Sequence, residues 1–317
     1  MIKIALLLLF FLSSFSCSFK NEIKEKIKNV GSNVVKELPQ KKNTTLSSSL
    51  NYFQTAIVKS FVNNIHNDLP GTEVRINGTK NNKPEFEILT IKEIENSNNL
   101  KNTFFWQGSF LHHDGGNRNT VNLGLGYRRL SENKFFLTGV NAFLDQEFPY
   151  NHQRTSLGVE LKNPFFELTS NHYWNISGWK TGKNNEKERA YGGYDMDIGI
   201  QVPYIPAAKL HAQTFNWKSK GNTLDKKGEK LSLNLNSPLG NGWSIETGYK
   251  LNDTEPNQKF VNLSYKWVIG EKLKRKIDPI ISKVAYEKVN MLDRRLEKVR
   301  RENKIIKQVS GLTLSFR

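Results

Sequence analysis

Cysteine is nearly missing from this chain. Its one residue, Cys17, leaves no room for an intramolecular disulfide framework or a cysteine-rich zinc site. Long apolar runs are missing too. Outside Ile4–Leu12, nothing approaches the ~18–20 residues of a membrane-spanning helix. A helical membrane protein is thereby excluded. A transmembrane β-barrel is not, because half of each barrel strand is polar and averaged hydropathy hides the other half. Acids are scarce, Asp+Glu 30 against Lys+Arg 47, for a net charge of +17.

That charge is uneven. Residues 18–60 carry 8 Lys/Arg against 3 acids, and residues 271–317 carry 14 against 6. The basic excess belongs to two flanking segments, so it does not mark a nucleic-acid-binding domain. At the N-terminus, Lys3, Ile4–Leu12 and Ser14-Phe15-Ser16 have the charged, apolar and small-residue order of a signal peptide over residues 1–16. Cys17 follows directly, a position open to lipidation, with ordinary cleavage as the alternative. The mature chain leaves the cytoplasm either way.

Residues 17–45 are rich in Lys, Asn and Ser and read as a poorly ordered periplasmic leader. Over 46–69, Leu46, Leu50, Phe53, Ile57, Phe61 and Ile65 recur at three and four, the stripe of an amphipathic helix. Asp68-Leu69-Pro70-Gly71 ends it.

From Thr72 to Ile269 the period is two. Val121, Leu123, Leu125 and Tyr127 alternate with Asn122, Gly124, Gly126 and Arg128; Val261, Leu263, Tyr265 and Trp267 alternate with Asn262, Ser264 and Lys266. Twelve such segments are read, at 72–78, 84–93, 103–112, 120–130, 134–146, 153–163, 165–176, 192–203, 208–218, 229–237, 243–252 and 258–269. An even number of strands near ten residues each matches an antiparallel outer-membrane barrel, which has no sheet edge to satisfy in hydrocarbon. Tight connections at Ser131–Asn133, Asn163–Pro164 and Pro238–Gly242 alternate with longer ones at 113–119, 147–152, 177–191, 219–228 and 253–257. That is the periplasmic and external asymmetry of such barrels. Phe104, Phe105, Trp106, Phe135, Phe136, Phe165, Phe166, Trp217, Trp243 and Trp267 lie near strand ends, where an interfacial aromatic belt is expected.

Catalytic chemistry is not legible. His112-His113-Asp114 resembles a metal cluster, but adjacent strand residues point to opposite faces. Asp145, His152 and Asp195 are available, yet no nucleophile stands out. No enzyme activity, cofactor, metal or small-molecule substrate is expected. After the barrel, Ile277, Ile281, Val284, Val289, Leu292, Leu296 and Val299 form a helical stripe over 271–309, and Leu312–Phe316 alternates again. By residues alone, this basic segment is a helix in the lumen, a periplasmic helix beside the barrel, or a coiled coil.

Several runs then carry a likeness. Asn122-Leu123-Gly124-Leu125-Gly126-Tyr127-Arg128, Gly139-Val140-Asn141-Ala142-Phe143-Leu144-Asp145, Glu188-Arg189-Ala190-Tyr191-Gly192-Gly193-Tyr194-Asp195 and Val299-Arg300-Arg301-Glu302-Asn303-Lys304-Ile305 occur in order. Over residues 45–307 the chain resembles the translocator barrel of the intimin and invasin family, the inverse autotransporters. The resemblance implies a monomeric twelve-stranded barrel in the bacterial outer membrane, inserted by periplasmic chaperones and the barrel-assembly machinery. It implies a linker that threads the lumen and anchors a C-terminal adhesive passenger at the surface, the passenger being absent or minimal here. A passenger-less pore or structural barrel is the alternative. The domains read 1–16, 17–45, 46–69, 70–270 for the barrel and 271–317 for the linker.

Alternation assigns Leu123, Leu125, Val140, Leu144, Leu157, Val159, Leu161, Leu233, Ile245, Val261 and Leu263 to lipid. It assigns Arg128, Asn141, Asp145, Arg154, Glu160, Asn171, Asp195, Asp197, Glu246 and Lys250 to the lumen. Within the linker motif, Val299, Arg301, Asn303 and Ile305 are expected to meet the wall, with basic side chains facing lumenal carboxylates.

Overall fold

The computed structural model describes residues 72–80, 83–94, 100–221, 224–236, 242–267, 281–286 and 290–310. The expected signal peptide, Cys17, the leader, the helix over 46–69 and the stretch 312–316 lie outside the described residues.

The strands in chain order are β1 (Thr72–Lys80), β2 (Lys83–Glu93), β3 (Asn102–His113), β4 (Arg118–Leu130), β5 (Leu137–Phe148), β6 (Gln153–Lys162), β7 (Phe166–Asn175), β8 (Lys180–Thr181), β9 (Lys187–Ala190), β10 (Gly192–Gln201), β11 (Ala208–Lys218), β12 (Lys226–Asn236), β13 (Trp243–Asn252), β14 (Gln258–Trp267) and β15 (Lys307–Val309). Twelve of them, β1–β7 and β10–β14, close into an antiparallel barrel in sequence order. β1 and β14 complete it, in register from Thr72 opposite Trp267 to Ile76 opposite Leu263. β8, β9 and β15 form a separate three-stranded sheet.

Side-chain chemistry fixes the tight turns. The Asn163 carboxamide oxygen accepts from the amides of Phe165 and Phe166, at 3.0 and 2.8 Å. The Ser131 hydroxyl accepts from Phe135 and Phe136, at 3.2 and 2.9 Å. Those bonds hold residues 134–136 in the turn, so β5 starts at Leu137 and not at the expected 134.

One face of the wall is apolar and points outward. Val159 is 49% exposed, and Leu231 and Val261 are each 61% exposed. Leu125, Val140 and Ala142 pack on that face with Trp106, Tyr127 and Leu157. The other face is polar and buried, and Arg128 and Arg154 are fully buried. Charged side chains are almost never buried without partners, so the interior is a network of ion pairs.

Two expectations are corrected. The helix expected within 271–309 is not there among the described residues. Residues 290–310 contain one short 3-10 turn, Met291–Arg294, whose first amides are met by the Asn290 side chain accepting from Leu292 at 2.9 Å. From Glu297 to Ile306 the segment is neither helix nor strand, because the wall bonds its backbone and charges one by one. Phe105 and Trp217 also leave the expected aromatic belt. Both are buried inside, Phe105 with Phe143 and Val299, and Trp217 with Tyr173, Tyr191 and Phe215. Their strand parity, odd with Gln107 and Gln213, turns them inward. Phe104 and Phe136, each 41% exposed, point outward.

Candidate functional site: a linker bound within the barrel

Residues 290–310 bond to a ring of strands. Their partners are Glu73 of β1, Glu87 of β2, Gln107 of β3, Asn122 of β4, Asp145 of β5, Arg154 of β6, Tyr173 of β7, Asp197 of β10 and Glu246 of β13. A segment can reach so many strands of a closed barrel only from inside it.

Its direction is equally plain. Met291 packs with Leu130 and Leu137, at the ends of β4 and β5 that share a tight turn. At the other end, β15 pairs antiparallel with β9, Lys307 opposite Ala190 and Val309 opposite Glu188. β9 belongs to the longest connection, between β7 and β10. The linker thus runs from the end of the 131–136 turn to the end that carries 176–191, the long-loop end. The other connections do not keep the expected alternation, since 114–117 and 149–152 are only four residues each because β3, β4 and β5 extend into them.

A segment outside helix and sheet cannot satisfy its own amides and carbonyls, and burial makes leaving them unpaired costly. The wall supplies the partners. The Arg128 guanidinium donates to the carbonyls of Arg295 and Glu297, each at 2.6 Å. Arg154 donates to the carbonyl of Glu302 at 2.6 Å, Asn171 to that of Arg300 at 3.0 Å, and Asn122 to that of Asn303 at 3.1 Å. The Val299 amide donates to the Gln107 side chain at 2.8 Å, and the Glu302 amide to the Tyr173 hydroxyl at 2.8 Å.

Charges complete the seating. Arg301 grips Asp145 at 2.7 and 3.0 Å. Arg300 spans Asp197 and Glu246, at 2.9 and 3.0 Å. Asn303 donates to Glu87, and Lys298 pairs with Glu73. Val299 is 3% exposed, and Ile305 is fully buried. Two expected partners are occupied elsewhere. Glu160 is held by Arg128 and Lys162, and Asp195 accepts from Asn171 and Tyr173. Asn141 is buried beside Asn171 over Gly158. Lys250 lies with its ammonium 4.7 Å from the centre of the Phe215 ring.

Sequence reasoning missed Glu73, Glu87, Glu147 and Glu167. Each shares inward parity with a neighbour that it did select or could have selected, as Glu147 does with Asp145 and Glu167 with Asn171. Glu147 and Glu188 build a cluster at the long-loop end. Arg118 bridges them at 2.6 and 2.7 Å, and Lys307 reaches Glu147 at 2.7 Å. The ring of His152 lies 3.3 Å from Glu188. Burial holds that imidazole below its usual range, and Lys307 acts the same way against Glu147 and Glu188.

His112 and His113 diverge as strand geometry requires. His112 meets Asn119 at 2.7 Å, whereas His113 meets Thr120 at 2.9 Å and faces the lumen. No cluster suited to a metal ion occurs among the described residues.

The family model for the inverse autotransporter β-domain matches residues 13–303. The chain belongs to the inverse autotransporter family. It is 34% identical over 107 residues to a putative attaching and effacing protein homolog of Escherichia coli K12, covering 33% of this chain and 35% of that protein. Intimin of Citrobacter freundii is 37% identical over 93 residues, covering 28% of this chain and 10% of intimin. Invasin of Yersinia enterocolitica is 25% identical over 139 residues, covering 41% of this chain and 15% of invasin. The matches thus span about a third or less of these relatives' own lengths. A solved structure from a study of in-meso crystallisation of membrane proteins aligns with a TM-score of 0.64 at 20% identity, over 76% of this chain and 99% of that one, and shares the fold. This inverse autotransporter is a barrel of the bacterial outer membrane, and its apolar outer face meets lipid.

Proposed function

We propose that this barrel exports a C-terminal segment through its lumen and then anchors it at the cell surface. The observation that carries this reading is the direction of residues 290–310. They enter at the end of the 131–136 turn and leave at the end that carries the longest connection, 176–191, bonded to the wall throughout. Outer-membrane barrels carry their long loops on the external side, so the end bearing 176–191 is the outer one and whatever follows residue 310 emerges outside. The lumenal set Arg128, Asn141, Asp145, Arg154, Glu160, Asn171, Asp195, Asp197, Glu246 and Lys250 serves as a receptor for the linker and its scaffold. Arg301 and Asn303 are the linker's polar anchors, and Val299 and Ile305 its apolar ones. The small sheet of β8, β9 and β15 acts as a latch against back-sliding. Insertion into lipid is assigned to periplasmic chaperones and the barrel-assembly machinery, and the barrel works as a monomer.

An epitope placed after Arg317 tests the reading. Antibody labels it on intact cells if the linker delivers the C-terminus outside. Labelling only after the outer membrane is permeabilised rejects export by this route.

A further inference from the structure

Residues 290–310 do not fill the barrel. Ile306 packs with Tyr173, Tyr191, Phe215 and Trp217 near the long-loop end, while nearer the middle Val299 and Leu296 pack on one side with Ile91, Phe105 and Phe143. Met291 and Leu292 pack below them with Leu130 and Leu137. Toward β1 and β13 the contact is reduced to long side chains, Lys298 reaching Glu73 and Arg300 reaching Glu246. Beside these arms lies a cavity of about 580 Å³. Its wall runs from Asn234 and Ser244 near the short turns, past Gln213 and Asn262, to Glu85 and His113 near the long loops.

A cavity of that size can stay dry only if it is apolar; one lined by amides and charges holds water. Among its described lining residues, nine Lys/Arg face seven Glu. The surplus is positive, and a charged lining concentrates counter-ions of the opposite sign. The barrel wall contributes Arg75, Lys162, Lys209 and Lys230 against five Glu, and residues 290–310 contribute five Lys/Arg against two Glu, so the positive surplus comes from the linker.

We propose that the barrel, with its linker seated, is a water-filled pore for small inorganic anions running between residues 290–310 and the wall of β11–β14 and β1–β3. This goes beyond export and does not rest on it. The linker takes one side of the lumen and leaves a polar passage on the other.

The experiment is planar-bilayer recording of the full chain across a potassium chloride gradient. Intact protein gives discrete current steps, with a reversal potential displaced toward that of chloride. Asn234→Lys displaces it further, and Asn234→Asp moves it back toward potassium, since each changes charge on the cavity wall. Asn262→Lys and Asn262→Asp repeat the test on a second strand, and heat-modifiable gel migration certifies that each variant is folded. Deleting residues 290–310 raises the current and moves the reversal potential toward potassium, because Arg294, Lys298, Arg300, Arg301 and Lys304 leave with the segment and the wall lining that remains has four Lys/Arg against five Glu. The proposal is overturned if the intact chain is silent while the deletion conducts. It is also overturned if the reversal potential lies on the potassium side, or if folded variants at both sites leave it unmoved. Surface labelling is read separately on cells, so failure here and failure of export are distinguishable.

Discussion

Arg301 of the linker and Asp145 of β5 form a two-point ion pair with both side chains fully buried. Nη1 donates to Oδ1 at 3.0 Å and Nη2 to Oδ2 at 2.7 Å. Arg154 of β6 donates to the same Oδ2 at 2.8 Å. One carboxylate therefore stands between a guanidinium of the wall and one of the linker. The Arg301 guanidinium also lies 4.2 Å from the centre of the Phe143 ring. Parallel bonds and low exposure make such pairs the strong ones.

Asp145→Asn is expected to weaken linker seating more than Arg301→Met. The first leaves two buried arginines without their shared carboxylate, a loss of about 3–5 kcal/mol for breaking a buried pair. The second removes bonds to a charged group worth about 1.5–3 kcal/mol while Arg154 still holds Asp145. Protease cleavage of the linker in detergent-solubilised protein reads both. The double variant should cost less than the sum of the two. Strict additivity would show that the pair is not coupled.

Gly126 lies against the Phe105 ring. A Cβ there would meet the ring at 2.1 Å. Phe105 in turn supports Val299 and carries the Arg128 guanidinium 4.5 Å from its ring centre. Gly126→Val should displace Phe105 at about 1–3 kcal/mol of overpacking, with linker protection lost before the barrel itself. Adding Phe105→Leu should restore part of it. Unaltered linker protection in Gly126→Val would refute the close approach.

Val261→Arg should impair outer-membrane assembly, at about 2–4 kcal/mol for a cation near the bilayer midplane. Asn262→Arg, its neighbour facing the cavity, should assemble normally. Leu157 and Ser156 make a poorer pair, because Ser156 accepts from Arg301 at 3.2 Å and is not neutral ground. Equal membrane yields of the Val261 and Asn262 variants would reverse the faces of β14, as a one-residue slip does.

Acidification should loosen the latch at the long-loop end. His152 is held below its usual range when buried, so the opened state binds the proton more readily. Stability of the closed latch is then present above the unfolded pKa of about 6.5 and declines as pH falls through it. Amide exchange of Lys187–Ala190 should accelerate between neutral and mildly acidic pH. His152→Gln should flatten that dependence. An equal slope in the variant would assign the effect to other groups.

The strands were legible because a barrel wall has a local cause. Each residue of a membrane-spanning strand faces either lipid or lumen, and the alternation is written in every strand. The same parity brought Arg128, Asp145 and Asp197 to the inner face, and would have brought Glu73, Glu87, Glu147 and Glu167 there had it been carried through. Nothing local separates Phe105 from Phe104 except that parity, and an expectation of interfacial rings overrode it.

Linker conformation was a different matter. Leu292, Leu296 and Val299 do recur at helical spacing, and in isolation a helix would satisfy their backbone. Inside the barrel, Arg128, Arg154, Asn171 and Gln107 offer that backbone other partners, and Asp145, Asp197 and Glu246 bind its adjacent arginines, Arg300 and Arg301. Those partners come from strands 54 or more residues earlier in the chain, so no local window of sequence contains the competition. The sequence by itself determined the strands, their two faces and the charge of the segment within them. The tertiary structure alone decided that the segment is not a helix, which wall residues hold it, and that a polar cavity stays beside it. The physical reason is that conformation there is set by bonds to a closed wall, which exists only once the barrel has formed.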